Sequence, residues 1–295
     1  MDKKLIIEVR ANEFARRTGS NRNIPYTPDE IAGDSAACRK AGASIYHFHA
    51  RTAEGEAETD PAVYRAAMAG IRAGSDILVH PTLGYVAKAG GALDRLAHVL
   101  ALKADPATAP HFAPIDLGSL NVDPYDAQSR TFLTTHQVYQ NDTETLLTFA
   151  REIRRAGMKP YLVSWSIGFT RQAEVMMEMG LIEEPAFLGF LMTDGALRGG
   201  HPCTAKGLRA HLEFLPQGRR VEWTIICSGA SALALAEDVI REGGHISIGL
   251  GDHYYPELGA PTNADLVARV AELARAAGRE IATPADVRRM LEMPA

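Results

Sequence analysis

Short apolar runs alternate along this chain with longer stretches in which apolar residues recur at intervals of three and four. Runs of the first kind predict buried strands, and stretches of the second kind predict helices with one face turned to a core. Strands are predicted at Leu5–Val9, Ser44–Arg51, Asp76–His80, Phe112–Leu117, Lys159–Ser164, Ala186–Met192, Val221–Cys227 and His245–Leu250. Helices are predicted from Thr27 to about Lys40, Asp60 to Gly74, Gly91 to Lys103, Asp142 to Ala156, Thr170 to Met179, Thr204 to Leu215, Ala230 to Glu242 and Thr262 to Ala277. A last short helix starts at Thr283-Pro284. Thr27-Pro28-Asp29-Glu30 has a capping residue, a proline suited to the first helical position, and a glutamate that completes a capping box.

Regular alternation of strand and helix implies parallel strands joined by right-handed crossovers. About eight such units in 295 residues point to an α/β fold, a (β/α)8 TIM barrel, rather than an open doubly wound sheet. The open sheet favours a glycine-rich dinucleotide turn after the first strand, where this chain reads Arg10-Ala11-Asn12-Glu13-Phe14. With no composition shift or long linker, residues 1–295 read as a single domain, with a C-terminal helical extension from about 284.

Composition narrows the partner. The net charge is −5 with both signs interspersed; no basic block suggests nucleic acid or a membrane surface, and a small, anionic metabolite fits better. Cys38, Cys203 and Cys227 are too scattered for a paired-cysteine site and odd in number, so a reducing, cytoplasmic compartment is expected. No run approaches ~20 apolar residues, and neither a signal peptide nor a membrane span is expected.

In a barrel of this kind chemistry gathers where strands end at their C-terminal side. His47 and His49, two apart on the second strand, share a face, and two imidazoles can hold one divalent metal at ~2.0–2.1 Å. Other strand ends bring Glu13, Arg51, His80, Thr82, Ser119, Asn121, Asp252 and His253 to the same mouth. Each has a bland alternative. Asp252 can make an Asx turn after glycine, His253 can pack beside its tyrosines, His80 can shape a turn or hydrogen-bond a ligand, and Glu13 with Arg51 can form a rim ion pair. His111, His136, His201, His211 and His245 read as structural, with His201 in a glycine-rich loop able to cover the site.

The run His47-Phe48-His49-Ala50-Arg51 resembles the signature of the β-keto acid cleavage enzymes. Further matches are Gly118-Ser119-Leu120-Asn121, Lys159-Pro160, Gly249-Leu250-Gly251-Asp252, Pro261–Val267 and Ala277–Pro284. The resemblance implies a zinc barrel, commonly a homotetramer, in which a β-keto acid and acetyl-CoA give acetoacetate and a new acyl-CoA. It implies that His47 and His49 ligate Zn2+, that Asp252 is the base, and that Thr82, Ser119 and Glu13 face substrate, with Arg51, Asn121 and His80 nearby. Four departures accompany it. Gly251 stands where the family has its third zinc ligand, a glutamate, and Ser247 where it has an arginine that holds the reacting carboxylate. Val163 replaces a glutamate and Ser166 an aspartate. The third ligand is then expected from His253, Asp252 itself or water, with His253 preferred. The same departures leave open a CoA-independent metal-dependent lyase or aldolase acting on a keto acid, or a non-catalytic ligand-binding relative.

Overall fold

The computed structural model describes residues 3–13, 15–18, 21–83 and 90–293. Among these, eight parallel strands form one sheet: β1 (Ile7–Arg10), β2 (Ile45–Phe48), β3 (Leu78–Pro81), β4 (Phe112–Asp116), β5 (Lys159–Ser164), β6 (Ala186–Thr193), β7 (Val221–Ser228) and β8 (His245–Ile248). The sheet runs β3-β2-β1-β8-β7-β6-β5-β4, so β3 and β4 are left to close it. They meet through one residue. The His111 amide donates to the Val79 carbonyl at 2.9 Å, and the Val79 amide donates to His111 Nδ1 at 3.0 Å. An imidazole thus stands in for a ladder carbonyl at the seam of a nearly closed (β/α)8 barrel.

Helices alternate with the strands: α1 (Pro28–Ala41), α2 (Pro61–Gly74), α3 (Ala92–Lys103), α4 (Thr143–Arg155), α5 (Ile167–Glu178), α6 (Ala205–Glu213), α7 (Ala236–Arg241) and α8 (Asn263–Ala276), followed by α9 (Pro284–Met290). The capping signals hold locally. Thr27 accepts from the Glu30 amide while Glu30 accepts from the Thr27 amide, and Thr262 with Asp265 and Thr283 with Asp286 repeat the exchange. The predicted seventh helix is shorter, because Ala232–Leu235 forms a 3-10 turn ahead of it. Beyond β4, where the pattern showed only a loop, two small antiparallel ladders stand up: Leu120–Asn121 with Val138–Tyr139, and Tyr125–Asp126 with Thr131–Phe132. Asp123 ties their base by accepting from Thr134 Oγ1 and the amides of His136 and Gln137.

At the opposite end of the barrel the buried Arg279 donates to the carbonyls of Lys3 and Gly244, tying the N-terminus to the turn before β8. No described helix is long and apolar enough to cross a membrane. Alternate residues of a strand face opposite ways. On β1, Ile7 and Val9 are buried in the hydrophobic core, while Glu8 and Arg10 turn into the lumen. Glu8 Oε2 accepts from the Tyr161 hydroxyl of β5, on the far wall, at 2.6 Å.

Candidate active site and metal centre

Strand register assembles the site. Arg10 of β1 lies opposite His47 of β2, and His47 opposite His80 of β3. Side chains in register share a face, so these three form one inward layer, with Glu8 and Ser247, also in register, forming the layer beneath. His49 follows the end of β2, and Glu13 lies in the turn after β1. Glu13 is buried with Oε1 3.0 Å from His47 Nε2 and Oε2 2.6 Å from His49 Nε2. Among the described residues, Glu13, His47 and His49 are the one group of His, Cys, Asp and Glu whose ligand atoms lie close enough together to hold a single ion.

Gly251 is what makes room for it. A Cβ there would lie 2.7 Å from Glu13 Cγ, 2.7 Å from the Glu13 amide nitrogen and 2.9 Å from the Arg10 carbonyl oxygen. The absence of a side chain at position 251, just after β8, therefore leaves the space that Glu13, in the turn after β1, occupies.

The charges interlock through Arg10. Its Nη2 lies 2.8 Å from Glu13 Oε1, and its Nε donates to Asp252 Oδ2 at 2.9 Å. Burial opposes the charge on Glu13, but Arg10, His49 and His47 outweigh it and hold the carboxyl well below the usual range. Asp252 goes the other way: burial, with Glu13 adding to it, overcomes Arg10 and pushes its pKa up to about 7. Burial also keeps His47 neutral, with its pKa lowered to about 3 against the pull of Glu13.

An acceptor faces each ring nitrogen of His47: Nδ1 lies 2.9 Å from the His80 carbonyl oxygen and Nε2 3.0 Å from Glu13 Oε1. Glu13 Oε1 is buried and receives no aligned hydrogen bond, although Arg10 Nη2 lies 2.8 Å from it, so it retains capacity to coordinate. A carboxylate with neutral imidazole is a donor set that suits zinc, so the residues present fit a divalent ion.

The other expected residues are distributed differently. His253 is not gathered with the pair: its Nε2 faces Glu257 at 3.7 Å, and its ring stands edge-on to Tyr255. Glu13 is gathered with them instead. Arg51 donates to the backbone carbonyls of Gly55, Asn12 and Glu13 rather than to the Glu13 carboxylate, shaping the turn that carries it. His80 is fully buried beside His47, with Nε2 2.7 Å from Glu8 Oε1. Thr82 is buried and its carbonyl accepts from His98 Nε2, while Ser119 Oγ accepts from the Asn141 amide at 2.8 Å. Asn121 lies in the outer ladder opposite Val138, exposed.

Sequence reasoning missed Glu8, Arg10 and Tyr161. The signal was present as two charges at alternate positions of an otherwise apolar strand. Asp116, at the end of β4, is a further buried carboxyl; burial raises its pKa although it accepts from Trp165 Nε1 at 2.7 Å and from the Tyr139 hydroxyl at 2.8 Å.

Comparison with known proteins identifies the family. A family model described as beta-keto acid cleavage enzyme matches residues 4–293. The 3-keto-5-aminohexanoate cleavage enzyme of Fusobacterium nucleatum is 29% identical over 92% of both chains. The 3-oxoadipate:acetyl-CoA acetyltransferase of Cupriavidus necator is 26% identical over 100% of this chain and 96% of its own. Among solved structures, ObcA in a ternary complex with a C4-CoA adduct and oxalate superposes with a TM-score of 0.70 at 16% identity, over 92% of this chain and 68% of that one.

Proposed function

The chain belongs to the beta-keto acid cleavage enzyme family, and from that premise we propose that it cleaves a β-keto acid with acetyl-CoA, yielding acetoacetate and a new acyl-CoA. The observation that carries this reading is the buried Glu13–His47–His49 group beside Asp252. A divalent cation such as zinc, held by Glu13, His47 and His49, would polarise the keto oxygen and offset negative charge on an enolate.

The protein's own groups do the rest. Asp252, poised near neutrality by burial, takes up and returns the proton whose loss starts the cleavage. Arg10 donates to one Asp252 oxygen and so fixes the carboxylate's orientation. Thr82 and Ser119 line the approach of the keto acid, and the walls of the barrel exclude water from the enolate. The enzyme works in the cytoplasm as a homo-oligomer.

The test is direct. Purified, zinc-loaded protein is incubated with acetyl-CoA and a panel of β-keto acids of differing side chain, and acetoacetate and acyl-CoA are quantified. Formation of both, dependent on acetyl-CoA, is the expected result. Their absence across the panel refutes the assignment, and turnover without acetyl-CoA refutes the acyl-transfer step.

A further inference from the structure

On the β4–β5 side of the barrel mouth stands a carboxylate that the proposed chemistry does not use. Asp116 ends β4 in register with Val163 of β5. Tyr161, on the same face of β5 as Val163, sends its hydroxyl into the lumen to Glu8, so Val163 and Asp116 face the lumen as well. Asp116 is only half-buried, open to a molecule entering the mouth. Burial raises its pKa; the bonds from Trp165 and Tyr139 and the charge of Arg10 work against that rise. Asp116 therefore lies within electrostatic reach of the arginine that holds Glu13 and Asp252.

Two neutral donors fix the carboxylate. Trp165 Nε1 donates to Oδ1 at 2.7 Å, and the Tyr139 hydroxyl donates to Oδ2 at 2.8 Å. Neither brings a charge. Arg95 is spent on the Gln140 carbonyl and the Tyr139 hydroxyl, and among the described residues no cationic side chain forms an ion pair with Asp116. The buried Asn141, whose Nδ2 donates to the Gly118 carbonyl at 3.1 Å, adds an Oδ1 with no hydrogen-bond partner among the described residues. A carboxylate oriented by neutral donors and left without a counter-ion is matched by a ligand group that carries both positive charge and N–H donors. A second anion at that point meets repulsion that little water screens.

We propose that Asp116 is a specificity-determining residue: its carboxylate meets the far end of the keto acid's side chain, admitting a protonated amine there and refusing a second carboxylate. This deepens the function proposed above and rests on it for the identity of the molecule. With the keto acid's oxygens engaged at the metal centre on the β1–β2 side, its side chain is the part that reaches the wall carrying Asp116 and Ser119. Buried Val163 and Trp165 give that side chain apolar cover on the way.

The experiment compares three β-keto acids of one chain length, ending in an ammonium, a methyl or a carboxylate group, by kcat/KM in the acetyl-CoA assay. The wild type should favour ammonium over methyl by about tenfold or more, and methyl over carboxylate by a similar factor, chiefly through KM. In Asp116→Asn, which keeps the shape and an acceptor for Trp165, the three should fall within about threefold of one another. A binding arm needs no turnover. Calorimetry of δ-aminovalerate, hexanoate and adipate with the zinc-loaded protein should give the same order of affinity, and Asp116→Asn should abolish it. A wild type that takes the methyl or carboxylate end as readily as the ammonium overturns the proposal without recourse to any variant. So does a folded Asp116→Asn protein whose order of preference is unchanged. An Asp116-dependent order of binding in a protein that makes no acetoacetate from any of the three upholds the end-group assignment and refutes the proposed reaction instead.

Discussion

Replacing Gly251 with alanine tests the seat of Glu13 most sharply. The added methyl would lie 2.7 Å from Glu13 Cγ and from the Glu13 amide nitrogen, and 2.9 Å from the Arg10 carbonyl oxygen. Carbon contacts of this kind are ordinarily ~3.5–4.0 Å. Two of the three neighbours are backbone, so relief must come from moving the turn after β1, and overpacking of this kind costs about 1–3 kcal/mol. The same movement carries Glu13 away from His47 and His49, so zinc affinity should fall at least about tenfold, equivalent to ~1.4 kcal/mol. A Glu13→Ala background removes the Cγ contact but leaves the backbone contacts. In a double-mutant cycle Gly251→Ala should therefore cost about 0.5 kcal/mol less, or better, in that background. Urea unfolding at constant m gives the stability terms, and chelator competition gives the affinity. A Gly251→Ala protein with wild-type zinc affinity and a stability loss under ~0.5 kcal/mol would show that Glu13 does not occupy that space.

Asp252→Asn keeps the shape of the site but cannot accept a proton. Acetoacetate formation should drop by about 10²–10⁴-fold while zinc binding stays within a few-fold, and retained turnover would remove Asp252 from the proton path. In the metal-free protein, burial lowers His47, His111 and His211 to about 3 and His245 to about 4, and raises Asp34 to about 6 and Asp252 to about 7. As pH falls from about 6 to about 4.5, the unfolded chain holds protons on four histidines that the fold refuses, and the fold holds protons on two aspartates that the unfolded chain lacks. These groups alone make the unfolded state bind about two protons more, and the depressed Glu8 and Glu13 add to the same side toward pH 4.5, so stability should fall by at least roughly 2.7 kcal/mol per pH unit; denaturant midpoints that stay flat or rise across that window contradict the assignment.

What could be read locally was readable. Period-two spacing put His47 and His49 on one face, strand-to-helix alternation specified the barrel, and the boxes at Thr27, Thr262 and Thr283 cap the helices they predicted. The misread positions share a cause. Leu5–Val9 looks apolar because Glu8 is one charge among aliphatics, and Arg10 looked like loop. Their meaning depends on the pairing of β1 with β8, some 240 residues away, and on Tyr161 across the lumen. No local pattern contains either contact. His253 attracted the third-ligand role through nearness in sequence to Gly251, whereas the ring faces Glu257 and the space beside Gly251 was already filled from another strand.

The fit between the ends of β1 and β8 has a physical basis. The resemblance puts an arginine at position 247 and a glutamate at position 251; this chain has serine and glycine there, and carries Arg10 at the end of β1 and Glu13 in the turn after it. Adjacent strands lie about 4.8 Å apart, well within the reach of either long side chain, so one point in the mouth can be supplied from β1 or from β8. In this chain a Cβ at 251 would collide with Glu13, so that point is supplied from the β1 side. Ser247, short and hydroxylated, leaves room beneath and donates to Glu8. Asp252 keeps an arginine partner, now reached from the neighbouring strand at 2.9 Å. The small residues in and just after β8, Ser247 and Gly251, are thus the steric complement of Glu8, Arg10 and Glu13 in and just after β1.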